Sequence, residues 1–129
     1  MIEEFREWRK SKQAEIGHIS EIMSLKLSDE PPILVEEISE AESWYSRTGF
    51  LLSEANGWLD KATFFYLKPK DKTTDLDRRL ELDSVVSDIR MIRDYLQILL
   101  DGIKQRVIMG ESVLRHLTQL REAGVISRD

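Results

Sequence analysis

"ILVEEISEAESWYSRTGFLLSEANGWLDKATFFYLK", residues 33–68, decides the fold class. Leu34, Ile38, Ala41, Tyr45, Thr48, Leu52, Ala55, Leu59, Ala62 and Tyr66 alternate by four and three residues without a slip. That spacing keeps one seam of a helix facing a partner helix. Trp44, Leu51, Trp58 and Phe65 recur every seven residues beside the seam. They widen the stripe to what a bundle helix with two neighbours requires.

The same pattern extends outward on both sides. From 74 to 123, Leu82, Val85, Ile89, Ile92, Leu96, Leu99, Ile103, Arg106, Gly110, Val113, Leu117 and Leu120 hold the alternation, with Val86, Leu100, Val107 and Leu114 flanking it. From 2 to 27 it is weaker: Ile2, Phe5, Ile16, Ile19 and Met23 lie on the seam, and Arg9 and Lys12 interrupt it. "SDEPP" (28–32) supplies capping side chains and prolines that only a first helical turn tolerates. "KPKDKTTD" (68–75) holds Pro69, then Thr74 with Asp77 three residues on, resembling a capping box. The expected architecture is all-α and a single domain, 1–129. It has an N-terminal helix (about 2–27) and a long antiparallel hairpin (about 33–68 and 74–123), a coiled-coil-like three-helix bundle completed by oligomerisation.

Composition agrees. The 129 residues include 33% charged and 41% hydrophobic side chains, with 6 Gly and 3 Pro. That balance supports a core and leaves too few turn residues for an all-β domain. No cysteine is present, which removes disulfides, thiolate catalysis and Cys-based zinc sites and fits a reducing compartment. "MIEEFREWRK" contains no apolar run of a signal peptide, and "FFYL" and "ILL" fall far short of the roughly 20 residues of a membrane span. A cytoplasmic protein with no membrane partner is expected. The net charge of −5 works against nonspecific nucleic-acid binding.

Helix lengths raise a packing problem. About 34 residues span roughly 51 Å and about 48 span roughly 72 Å, whereas a compact domain of this size has a radius of gyration of only about 14 Å. Gly102 and Gly110 are the candidate break points, and a break at Gly110 with Ser112 as cap would make four helices. The seam keeps its phase past both, so continuity is expected, with Gly110 permitting close helix approach. Phe50 and Phe64 lie on the side away from the second helix's seam, to be covered either by the first helix or by another chain. With Trp44 and Trp58 they are the candidate partner-interface residues.

Chemistry is sparse. No Gly-rich phosphate loop, nucleophile elbow or H-E-x-x-H motif is present, so neither catalytic residues nor a cofactor is expected. "EIGH" puts Glu15 and His18 on one helical face, as in di-iron bundles. A site of that kind needs a second such motif and more inward glutamates, and no metal is expected. "EEISEAE" (36–42) gives the second helix an acidic outer face. Arg106 falls on the seam, where it must reach solvent, pair with a glutamate of a neighbouring helix, or bind an anionic ligand. Arg106, Arg115, His116 and Arg121 are the candidate contacts for an anion or partner.

Two resemblances bear on function. "SVLRHLTQLREAGV" (112–125) resembles the DNA-reading helix of ArsR-type winged-helix repressors, which implies a positioning helix before it and a β-hairpin wing after it. Here "ILLDGIKQRVIMGE" precedes it without helix-turn-helix spacing and "VISRD" follows Gly124, while Val113, Leu117 and Leu120 continue the seam begun at Leu82. The likeness is therefore read as accidental, and Gly124 as a helix stop. "W-Y-x-R-x-G-x-L-L-x-E-A" (Trp44 to Ala55) resembles small orphan helical proteins of phages and mobile elements, which implies an accessory or inhibitor of host machinery. The expected function is that of a non-enzymatic helical interaction protein that self-associates. The alternative is a phage-type accessory or inhibitor that acts on nucleic-acid machinery or sequesters a small anionic ligand.

Overall fold

The computed structural model describes residues 1–67 and 75–124. They form three α-helices, α1 (Ile2–Ser24), α2 (Pro31–Leu67) and α3 (Asp75–Glu122), and no strand occurs among the described residues. The link from Lys68 to Thr74, with Pro69 and the Thr74 end of the expected cap, lies outside the described residues, as do the "VISRD" tail and the side chains of Phe65 and Tyr66. The chain is the all-α bundle that the period implies.

Its topology is up-down-up. Phe5 of α1 meets Trp58 of α2, while Ser28, just past α1, donates its N–H to Glu37 near the start of α2; the two helices are antiparallel. Arg9 pairs with Asp88, the Tyr95 hydroxyl donates to Ser20, and Arg106 donates to the Leu25 carbonyl. Hence α1 runs parallel to α3 and lies against both arms of the hairpin.

Local chemistry sets the helix ends. Glu3 and Glu4 place acid in the first turn of α1, where the helix dipole favours it. The helix stops at Ser24, earlier than the period suggests, because Leu25 turns extended (ψ 141°) and gives its carbonyl to Arg106. α2 begins at Pro31, two residues earlier than expected. Both prolines sit in the first turn, where their missing N–H groups would have no partner in any case, and Leu34 N–H donates to Glu30 at 2.9 Å. α3 is unbroken over 48 residues. It ends at Gly124, whose φ of 73° is the left-handed stop that glycine accepts without strain.

The core is built in two adjoining parts. Phe5, Ala62, Leu82, Val85 and Ile89 fill the end near the hairpin turn. Ile16, Ile19, Ala41, Leu51, Ala55, Leu96, Leu99 and Ile103 fill the middle, and Trp8 and Ile92 join the two. Leu51, assigned to the flanking row, is fully buried, and Tyr45, assigned to the seam, is exposed. The cause is α1. It covers the Leu51 side of α2 and rotates the buried stripe away from Tyr45.

Gly110 fixes the register of the hairpin. A Cβ there would stand 2.8 Å from Ile38 Cγ1 and 3.3 Å from its Cδ1, whereas one at Gly102 meets nothing within 4 Å. Since Gly110 is level with the Leu34–Ile38 turn, Pro31 comes level with about residue 115, and about two turns of α3 run on past α2. Gly110→Ala should destabilise the fold by about 1–2 kcal/mol in chemical denaturation, because crowding outweighs the gain in helix propensity. Gly102→Ala should stabilise it by roughly 0.5–1 kcal/mol; equal effects would contradict this register. Thr48 is fully buried with no hydrogen-bond partner for Oγ1. Thr48→Val should therefore raise stability by about 1 kcal/mol, and a loss of stability would reveal a bond to that hydroxyl.

Candidate functional site

Side chains along the α1–α2 edge use their polar groups within the chain. Arg47 donates from Nε and Nη2 to the two oxygens of Glu15, the second bond at 3.2 Å. Trp8 Nε1 donates to Glu54 Oε2 at 2.9 Å. The Phe5, Trp8 and Trp58 rings cluster with centroids 5.9–6.4 Å apart, and Lys61 Nζ lies 4.4 Å from the Trp58 centroid. Such contacts favour offset or edge-on rings and a cation over a face.

Glu15 and His18, one helical turn apart on α1, go to different partners. Glu15 is held by Arg47, and the His18 ring stands edge-on to Trp44 with centroids 5.4 Å apart. Among the described residues no group of three or more metal-ligating side chains forms.

The four aromatic interface candidates divide into two pairs. Trp44 and Trp58 are half-buried and pack on the two parts of the core, so much of their surface is used within the chain. Phe50 and Phe64 are 55% and 61% exposed; α1 does not cover them. The Arg47 guanidinium sits 5.3 Å from the Phe50 centroid.

The four basic candidates also divide. Arg106 is 11% exposed and meets Glu37 at 3.6 Å as well as the Leu25 carbonyl, so a neighbouring glutamate and the α1 terminus satisfy it. Arg115 and His116 are exposed on the last turns of α3, where Arg115 borders a shallow depression with Glu111, Thr118 and Glu122. Arg121 is half-buried, and its Nε is covered without an acceptor. Arg106 does not join the other three in one site, because it faces the α1–α2 loop and they lie on the part of α3 beyond it.

One surface escaped the reading of the seam. Met91, Tyr95 and Ile98 are exposed on α3 and, with Arg9, Gln13 and Ile16 of α1, line an open groove of about 510 Å³. Its signal was present in the sequence: Leu80, Ser84, Ser87, Met91, Tyr95, Ile98, Gly102, Gln105 and Met109 keep a three–four spacing of their own. The small and polar members of that row hid it beside the stronger Leu82–Ile103 seam.

The class so defined is a three-helix bundle with one short and two long helices, whose long helices keep apolar side chains on open faces. No protein-family model, curated protein or solved structure matches the chain.

The Glu15–Arg47 pair makes stability depend on pH. The hydrogen bonds from Arg47 hold the Glu15 carboxyl below its ordinary value of 4.5, against an opposing effect of burial. A depressed carboxylate stabilises the fold above its unfolded pKa, and that contribution is lost as pH falls through the folded value. Both partners are part-exposed, at 29% and 36%, so the pair contributes at most about 1 kcal/mol. Glu15→Gln should lower the melting temperature at neutral pH and leave it nearly unchanged well below pH 4.5. An equal loss at both would show that the carboxylate's charge is not what stabilises.

Proposed function

We propose that this chain is a non-catalytic, cytoplasmic interaction protein that works through its helix faces and associates with itself. The observation that carries this reading is the exposure of Phe50 and Phe64 on α2. Exposed aromatic surface of this kind gains free energy when a partner covers it, and aromatic anchors dominate binding at such faces. Met91, Ile98 and Met109 leave α3 similarly open.

The surface area supports the same reading. The chain exposes 8982 Å², against about 7100 Å² for a compact monomer of its mass. The difference is more than twice the roughly 800 Å² that each partner contributes to a standard interface, which leaves an elongated chain ample surface for one. For the compartment, support comes from the absence of cysteine. Among the described residues no helix is long and apolar enough to cross a membrane.

A second reading rests on Arg115 and His116, exposed on the last turns of α3, and on the acidic outer face of α2. It makes the chain a phage-type accessory or inhibitor that acts on nucleic-acid machinery. Nuclease treatment separates the two readings, since only the second loses partners from a host lysate when nucleic acid is destroyed.

Sedimentation equilibrium in the micromolar range should give a mass that rises with concentration above 15.1 kDa. The Phe50→Ser, Phe64→Ser double variant should weaken association by at least about tenfold, with a melting temperature close to that of the parent. A parent chain that stays at monomer mass throughout would overturn the proposal.

A further inference from the structure

The order of side chains on the open face of α2 points to its occupant. Phe50, Gly57 and Phe64 recur every seven residues, which places them in one row along the helix. Glu54 and Lys61 flank the row on the α1 side, where Trp8 donates to Glu54 and Lys61 lies over Trp58. Ser53 and Asp60 flank it on the other side.

Taken outward from Gly57, the row carries acid then phenylalanine in one direction and base then phenylalanine in the other. Reversing the helix exchanges acid for base and leaves the aromatic positions unchanged. A face with that order is complementary to its own antiparallel copy. The geometry points to a two-fold homodimer, resting on the self-association proposed above, in which α2 of one copy crosses α2 of a second, antiparallel, at Gly57. Phe50 of each copy then packs on Phe64 of the other.

The symmetry also sorts the charges. A two-fold axis perpendicular to antiparallel helices keeps each flank on its own side, so the α1-side flanks of the two copies meet. Glu54 then stands opposite Lys61 of the second copy, about 1.5 Å from level along the axis. On the far flank Asp60 faces Ser53, whose hydroxyl can donate to it.

One observation on the single chain agrees with this. A Cβ added to Gly57 meets nothing within 4 Å, so the chain's own packing does not call for glycine there, although glycine weakens a helix interior. A second helix crossing at that point gives the residue a reason, because the lack of a side chain lets two backbones approach closely.

The chain has no cysteine, so single cysteines report the axis without background. Under mild oxidation Gly57→Cys should give a disulfide-linked dimer in high yield, because only residues near the axis bring their Cβ atoms to the roughly 4 Å that a disulfide needs. Ile98→Cys on α3 should not. Lys61→Glu sets four carboxylates together at the crossing and should weaken the dimer by at least about tenfold, with an unchanged circular dichroism spectrum. If the parent associates but Gly57→Cys fails to link, or Lys61→Glu binds as tightly as the parent, this axis is wrong while self-association stands. If the parent is monomeric, both the axis and self-association fall, and the face is left to a different chain.

Discussion

Everything in this molecule depends on the seam between α2 and α3. It buries Leu34, Ile38, Ala41, Thr48 and Ala55 against Leu82, Val85, Ile89, Leu96 and Ile103, and Gly110 against Ile38 sets its register. Antiparallel helices joined by a short link can slide only by whole turns without breaking such a pattern. Once the register is set, the position of every other surface follows. α1 lies in the groove on the Leu51 side, Arg106 is brought to the α1 terminus, and the end of α3 runs beyond α2.

The same geometry leaves surface uncovered. α1 has 23 residues, against 37 and 48 for its neighbours, and one short helix can close only one groove of a long pair. Its edge with α2 is sealed by Arg47–Glu15 and Trp8–Glu54, and its edge with α3 by Arg9–Asp88 and Arg6–Glu81. Part-exposed ion pairs of this kind orient helices more than they stabilise them. On the opposite faces of α2 and α3, Phe50, Phe64, Met91, Ile98 and Met109 stay largely exposed.

Much of the fold was legible because seam periodicity is a direct trace of packing. The unbroken α3, the two prolines opening α2, the close approach at Gly110 and the stop at Gly124 each follow from one residue's physical chemistry. Period shows which residues share a face, but not where a third helix will lie. Tyr45 and Leu51 therefore exchanged places, whereas period did separate Trp44 and Trp58, beside the seam and half-buried, from Phe50 and Phe64, away from it and exposed. The Arg47–Glu15 pair, 32 residues apart in sequence, leaves no local signal. The Met91–Ile98 groove was masked by the serines and glycine that share its row.

The central claim is that α3 is one continuous helix packed along α2, since the open faces exist only if it is. Small-angle X-ray scattering at concentrations low enough to hold the monomer tests this most directly. Helices of about 34, 56 and 72 Å lying side by side predict a radius of gyration of about 18–20 Å. A value near 14 Å, that of a compact domain of this length, would mean that α3 folds back on itself and would contradict the account.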